Sequence, residues 1–146
     1  MSVFKRWGLG WGRQQTEDAA VAPAPAAKVR RGQVAEDRAL DHLRHQGLTL
    51  VERNYRVARG PSRRAGEIDL VMHAPDGTLV FVEVRARRNS AHGGAAASVG
   101  HHKRASLIYA AQHFLLRYRQ PPPCRFDLVA IDGDRLQWLP GAFDAG

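Results

Sequence analysis

The stretch that most constrains the fold runs from Gly66 to Arg87, GEIDLVMHAPDGTLVFVEVRAR, because its centre encodes a tight chain reversal. In APDGT, Pro75 suits the first central position of a type I turn and Asp76 the second. Gly77 supplies the left-handed residue that completes a three-residue hairpin loop with a G1 bulge. Ala74 then faces Thr78. Counting outward places Asp69 opposite Glu83 and Glu67 opposite Arg85, all four on one face because side chains alternate along a strand. Two carboxylates therefore meet side by side next to LVFV, a run that belongs in a core. At about 5 Å between Cβ atoms such a pair is destabilising, and the repulsion approaches about 4 kcal/mol where water is largely excluded. Either one carboxyl holds a proton or a cation lies between them, and a hard divalent ion such as Mg2+ or Mn2+ takes oxygen ligands of this kind.

The flanking segments supply a third acid and a buried-side cation. A helix is expected from about Gly32 to Gln46, with Gly47 as its stop. At about 100° per residue its apolar stripe is Ala39, Leu40 and Leu43, and Glu36 falls near the centre of that stripe. An acid there needs a partner, either a shared metal or an arginine in a buried ion pair. A second helix is expected from His101 to Arg119, ended by PPP. Lys103 lies on its stripe with Leu107, Ala110 and Phe114, yet in the first turn, where the helix dipole disfavours a cation. A bound phosphate, an acidic partner or an exit to solvent would each relieve this, and Arg104, His101 and His102 surround the same helix start.

LTLVERNYRV reads as a strand before the hairpin, RRNSAHGGAAASVG as a mobile loop after it, and CRFDLVAID and RLQWLP as strands around DGD. The fold class is thus α/β, a mixed β-sheet flanked by helices in the order α-β-β-β-α-β-β. Residues 1–29 contain AAVAPAPAA and read as a flexible, basic, Ala/Pro-rich tail. Residues 30–146 suit one domain.

Charge narrows the partners. The net charge is +8, and from Arg53 to Arg104 there are ten basic residues against four acidic ones, two of which are the facing pair. A basic field around a carboxylate site suits a polyanion, although a solvated basic surface has the same composition. A single cysteine, Cys124, excludes an internal disulfide framework and fits a reducing cytoplasm. No apolar run is long enough to span a bilayer, so integral membrane association is not expected. Neither the His pair nor Cys124 has zinc-site spacing, and a Gly-rich phosphate loop with its lysine is absent.

RGQVAEDRALDHLRHQGLTLVERNYRV, GEIDL, FVEVRAR, KRASLIYAAQHFL and CRFDLVAI together resemble the YraN-type family of small bacterial proteins, over Gly32 to about Ile131. The fold is similar to that of restriction-endonuclease-like nucleases, including archaeal Holliday-junction resolvases. Their pattern is an acid on the first helix, an Asp on the second strand and Glu-x-Lys on the third. The resemblance implies metal-binding roles for Glu36, Asp69 and Glu83, with Val84 offering its backbone carbonyl, and a catalytic role for Arg85. Arg85 departs from the pattern's lysine. An arginine stays charged and is a poor general base, though it can stabilise phosphate charge. With 19 Arg and 3 Lys in the chain, the replacement partly follows its general bias.

The expected function is a metal-dependent nuclease-like protein, a Mg2+ or Mn2+ endonuclease hydrolysing phosphodiesters in branched or flapped DNA. The alternative is a nucleic-acid-binding accessory protein of the same fold with little or no cleavage. Lys103, Arg104, Arg56, Arg63, Arg64 and Arg87 are the residues expected to hold the nucleic-acid backbone. A second copy of the chain, as a homodimer, is the other expected partner.

Overall fold

The hairpin closes at the expected turn. Ala74 N–H donates to Thr78 O at 2.9 Å and Gly77 N–H to Ala74 O at 3.0 Å, with Gly77 at φ +88°. Asp76 Oδ1 accepts the Thr78 N–H at 3.0 Å, which holds that carboxyl below its ordinary range. The computed structural model describes residues 25–58, 64–87 and 99–145, and the compact unit that carries the sheet is Arg31–Gly146. Residues 88–98 of the expected loop, and the expected tail as far as residue 24, lie outside the described residues.

The elements follow the order α1 (Pro25–His45), β1 (Thr49–Ala58), β2 (Arg64–His73), β3 (Leu79–Arg87), α2 (His101–Leu115), β4 (Cys124–Asp132) and β5 (Arg135–Phe143). The five strands lie in one mixed sheet, in sequence order from β1 to β5. Neighbours are antiparallel except β3 and β4, which run parallel because α2 crosses between them. The protein is therefore α/β with the expected order of elements.

Both sheet faces are covered. On one, Ala35, Ala39, Leu40 and Leu43 of α1 pack on Leu70, Met72, Val80, Val82, Val129 and Ile131. On the other, Leu107, Ala110, Ala111 and Phe114 of α2 pack on Ile68, Val71, Phe81 and Phe126. Phe114 meets the Phe81 ring edge-on, with centroids 5.8 Å apart. The approach of α2 to β2 is set by Gly66, where a Cβ would stand 2.5 Å from the Ser106 carbonyl oxygen. That close passage fixes the start of α2 near the end of the hairpin. No described helix is long and apolar enough to cross a membrane.

Three boundaries differ from expectation. The first helix begins at Pro25, not Gly32, because proline is tolerated at a helix start and the following AAKVRR contains good helix formers. The second helix ends at Leu115, not Arg119. There Arg117 N–H turns back to Phe114 O, and its guanidinium lies 3.6 Å from the Phe114 ring centroid. The last strand continues past Pro140 to Phe143, since Gly141, at φ +60°, gives its N–H to the buried Asp127 carboxylate.

Candidate active site

The β2–β3 ladder runs from His73↔Leu79 to Leu70↔Val82, in the expected register, and ends there. Asp69 and Glu83 are the next residues on each strand. On its other side β2 pairs Leu70 with Arg53 and Ile68 with Tyr55, and between them Asn54 adopts φ +52°. Ile68 packs on the α2 side of the sheet and Leu70 on the α1 side. Side-chain alternation thus changes phase at Asp69, and β1 changes with it at Asn54. This corrects the expectation that four charged residues share one face. The phase change leaves Glu67 on the face opposite Arg85, and Glu67 pairs instead with Arg56 of β1, Nε to Oε1 at 3.2 Å.

Asp69 and Glu83 do meet. Asp69 Oδ2 accepts the Val84 N–H at 2.8 Å, occupying a donor that a continued ladder would have used. Glu83, 3% exposed, receives Lys103 Nζ on Oε1 at 3.3 Å, the first turn of α2 having been brought here by Gly66. Its Oε2 is buried with no donor among the described residues. Two ionised carboxylates cannot hydrogen-bond each other, so the Asp69–Glu83 contact is made through a shared proton or through a cation. Burial, and then the Asp69 charge, push the Glu83 carboxyl up to about 8, against the pull of Lys103. Burial likewise raises Asp69, opposed by the Val84 N–H.

Glu36 lies close enough for the Asp69 charge to add to burial in raising its own carboxyl, while Asn54 and Arg53 act in the other direction. Arg53 Nη2 lies 2.8 Å from Asp37 Oδ1 and 3.5 Å from Glu36 Oε2. Glu36 thus has an arginine beside it, in a half-buried pair rather than a buried one, alongside its proximity to Asp69. Among the described residues, no three of His, Cys, Asp and Glu gather closely enough to hold one ion. The carboxylates that share a contact are two, Asp69 and Glu83. They fit a small oxygen-seeking cation, since Glu83 keeps a buried, donorless Oε2 and interacts with a second carboxylate, Asp69.

Arg85, half-buried, stands two residues beyond Glu83 on the same side of β3. Lys103, Arg104, Arg56 and Arg87 all lie at this end of the sheet, where β1 and β3 finish and α2 begins. Lys103 is held by Glu83. Arg104 Nε donates to Val99 O at 3.2 Å and its guanidinium lies 5.4 Å from the Phe143 ring centroid. Arg64 opens β2 with its side chain outside the described residues, and Arg63 lies outside them altogether.

Arg53 and Asn54 are the site residues that sequence reasoning missed. Asn54 left one usable signal, since asparagine is enriched among residues that tolerate positive φ.

The Uncharacterised protein family UPF0102 matches residues 35–131, a range that includes Glu36, Asp69, Glu83, Arg85, Lys103 and Arg104. A UPF0102 protein of Acidovorax sp. (strain JS42) is 62% identical over 123 residues, covering 84% of this chain and 91% of the relative. One from Methylibium petroleiphilum is 60% identical over 114 residues, 78% of this chain and 93% of the relative. A Polaromonas relative is 51% identical over 132 residues, covering 84% and 87% respectively. The chain belongs to UPF0102, the YraN family of small bacterial proteins.

Proposed function

We propose that this chain is a divalent-metal-dependent, nuclease-like protein acting on branched or flapped DNA by phosphodiester hydrolysis. The observation that carries this reading is the meeting of Asp69 and Glu83 where β2 and β3 part, with Glu83 Oε2 buried and without a donor among the described residues. Asp69, Glu83 and the Val84 carbonyl would hold Mg2+ or Mn2+, and Glu36 would act through water. A bound ion would neutralise the paired carboxylates and lower the pKa of an attacking water.

The chain's own residues supply the rest. Lys103, at 3.3 Å from Glu83, balances the acid pair and stands ready for a phosphate oxygen. Arg85 would stabilise negative charge developing on the phosphorus oxygens, but its guanidinium does not give up its proton, so the proton of the attacking water goes elsewhere. Arg104, Arg87 and Arg56, with Arg63 and Arg64, would hold the sugar-phosphate backbone without reading sequence.

A second reading, a nucleic-acid-binding accessory protein with little or no cleavage, draws on two observations. Arginine stands where a nuclease of this pattern has lysine. The acids also have cations of the chain beside them, Lys103 on Glu83 and Arg53 near Glu36. Labelled fork, flap, junction and linear DNA separate the two readings. Cleavage that requires Mg2+ or Mn2+ and disappears in Glu83→Ala is the result expected for the first. Binding of all substrates with no cleavage by the wild type selects the second.

A further inference from the structure

Beside the acid pair is a cavity that the proposed hydrolysis does not use. It has a volume of about 360 Å³ and is lined by Val99, Arg104, Leu128, Leu139, Pro140, Ala142 and Phe143. Two links tie it to the acids. Leu128 is the parallel-ladder partner of Glu83, one strand spacing away at about 4.8 Å. Arg104 follows Lys103, whose ammonium holds Glu83. A group seated in the cavity is therefore next to any phosphate drawn to Lys103.

The walls define what that group is. Among the described residues the lining side chains are aliphatic or aromatic apart from Arg104. Backbone polar groups and the guanidinium nevertheless make up the larger share of the exposed wall, so the cavity takes a flat body with apolar faces and a hydrogen-bonding edge. Phe143 is stacked on Phe126, centroids 4.8 Å apart and planes at 16°, so it is a braced wall. Arg104 is pinned over the other side of that ring by its bond to the Val99 carbonyl. A cavity near the lower end of the roughly 300–1,000 Å³ typical of ligand sites suits a single planar ring system and is too small for a base pair. An unstacked nucleobase has the required chemistry: apolar faces for Leu128, Leu139 and the free edge of Phe143, whose two faces Phe126 and Arg104 already cover, and edge acceptors for a guanidinium. Leu139, Pro140, Ala142 and Phe143 lie beyond the range of the family match, which ends at residue 131.

We infer that this cavity receives one unpaired nucleobase of a DNA whose adjoining phosphate lies at Lys103, so that the protein selects DNA carrying an unpaired nucleotide over continuous duplex. The inference rests on the DNA reading given above but not on cleavage.

The test is a binding measurement in EDTA, comparing a blunt duplex with the same duplex carrying a single unpaired nucleotide, with 2-aminopurine as that nucleotide. Wild type is expected to prefer the unpaired form by about tenfold, the effect of roughly one stacked base, and to change the 2-aminopurine emission. Ala142→Trp, which fills the cavity from the exposed last strand, is expected to abolish both effects while binding blunt duplex as before. Its melting curve reports that it is folded. Should Ala142→Trp not fold, Leu139→Ala, which removes a wall without adding bulk, is expected to reduce the preference by several-fold. Equal wild-type affinity for the two DNAs overturns the cavity assignment and leaves the DNA reading standing. A preference that survives in a folded Ala142→Trp protein overturns it as well. Failure to bind either DNA at low salt overturns both, in favour of a protein side chain as the occupant.

Discussion

Glu83 concentrates the chemistry of the molecule in one buried carboxyl. Its ordinary value is 4.5 and the folded protein raises it to about 8, so the fold holds this proton more tightly than the unfolded chain does. The stability associated with that proton is complete below about 4.5 and is lost as pH rises through about 8. Without metal, the melting temperature should therefore fall by several degrees between mildly acidic and mildly alkaline solution, as read by circular dichroism. Glu83→Gln should flatten that fall, because its amide donates to Asp69 and its carbonyl accepts from Lys103 at any pH. Parallel pH profiles for the two proteins would refute the shared-proton account. At Arg85 the expectation concerns rate. Arg85→Lys keeps the charge and adds a group able to exchange a proton, so metal-dependent cleavage of branched DNA should rise by about tenfold or more. Asp69 and Glu83 were legible in the sequence because a five-residue turn fixes the hairpin register. Asn54 was not, since a single left-handed residue inside a strand leaves the hydrophobic pattern almost unchanged.

At the scale of elements, the site depends on how closely α2 passes β2. Gly66→Ala would put a methyl 2.5 Å from the Ser106 carbonyl oxygen and 2.9 Å from the Ala110 Cβ. The helix would have to shift, at a cost of about 1–3 kcal/mol. A destabilisation of about 1 kcal/mol lowers the melting temperature of a domain this size by roughly 3–6 °C, and calorimetry would register it. A substitution that leaves the melting temperature unchanged would contradict the tight contact. The turn, both helix stripes and the strand CRFDLVAID were readable because each rests on local periodicity or turn chemistry. Element ends were less readable, because tertiary partners decide them: Asp127 draws β5 on through Gly141, and Arg117 folds over Phe114 where α2 stops. The splitting of the hairpin at Asp69 was also hidden. It depends on strand β1 changing phase in step, a non-local event.

For the whole molecule, a mixed sheet was expected, but the parallel placement of β4 beside β3 was not legible, because periodicity alone does not order strands. That placement gathers Lys103, Arg104, Arg87 and Arg56 at the end of the sheet holding the acids, within a chain of net charge +8. DNA affinity should consequently fall steeply with salt and depend little on base sequence. The double change Lys103→Ala with Arg104→Ala should reduce the logarithmic salt slope by about one to two, close to 0.9 for each phosphate that is no longer neutralised. Affinity indifferent to ionic strength would point to a protein partner. The central claim is that Asp69 and Glu83 form a cation site, and thermal melting with and without millimolar Mn2+ tests it most directly. A ligand at 100 times its Kd stabilises by about 2.7 kcal/mol, so the wild-type melting temperature should rise by several degrees. Asp69→Asn should lose that response, and above about pH 8, where both carboxyls of the metal-free wild type are ionised, it should melt higher than wild type in EDTA. Wild-type curves that superimpose with and without the ion would contradict the claim.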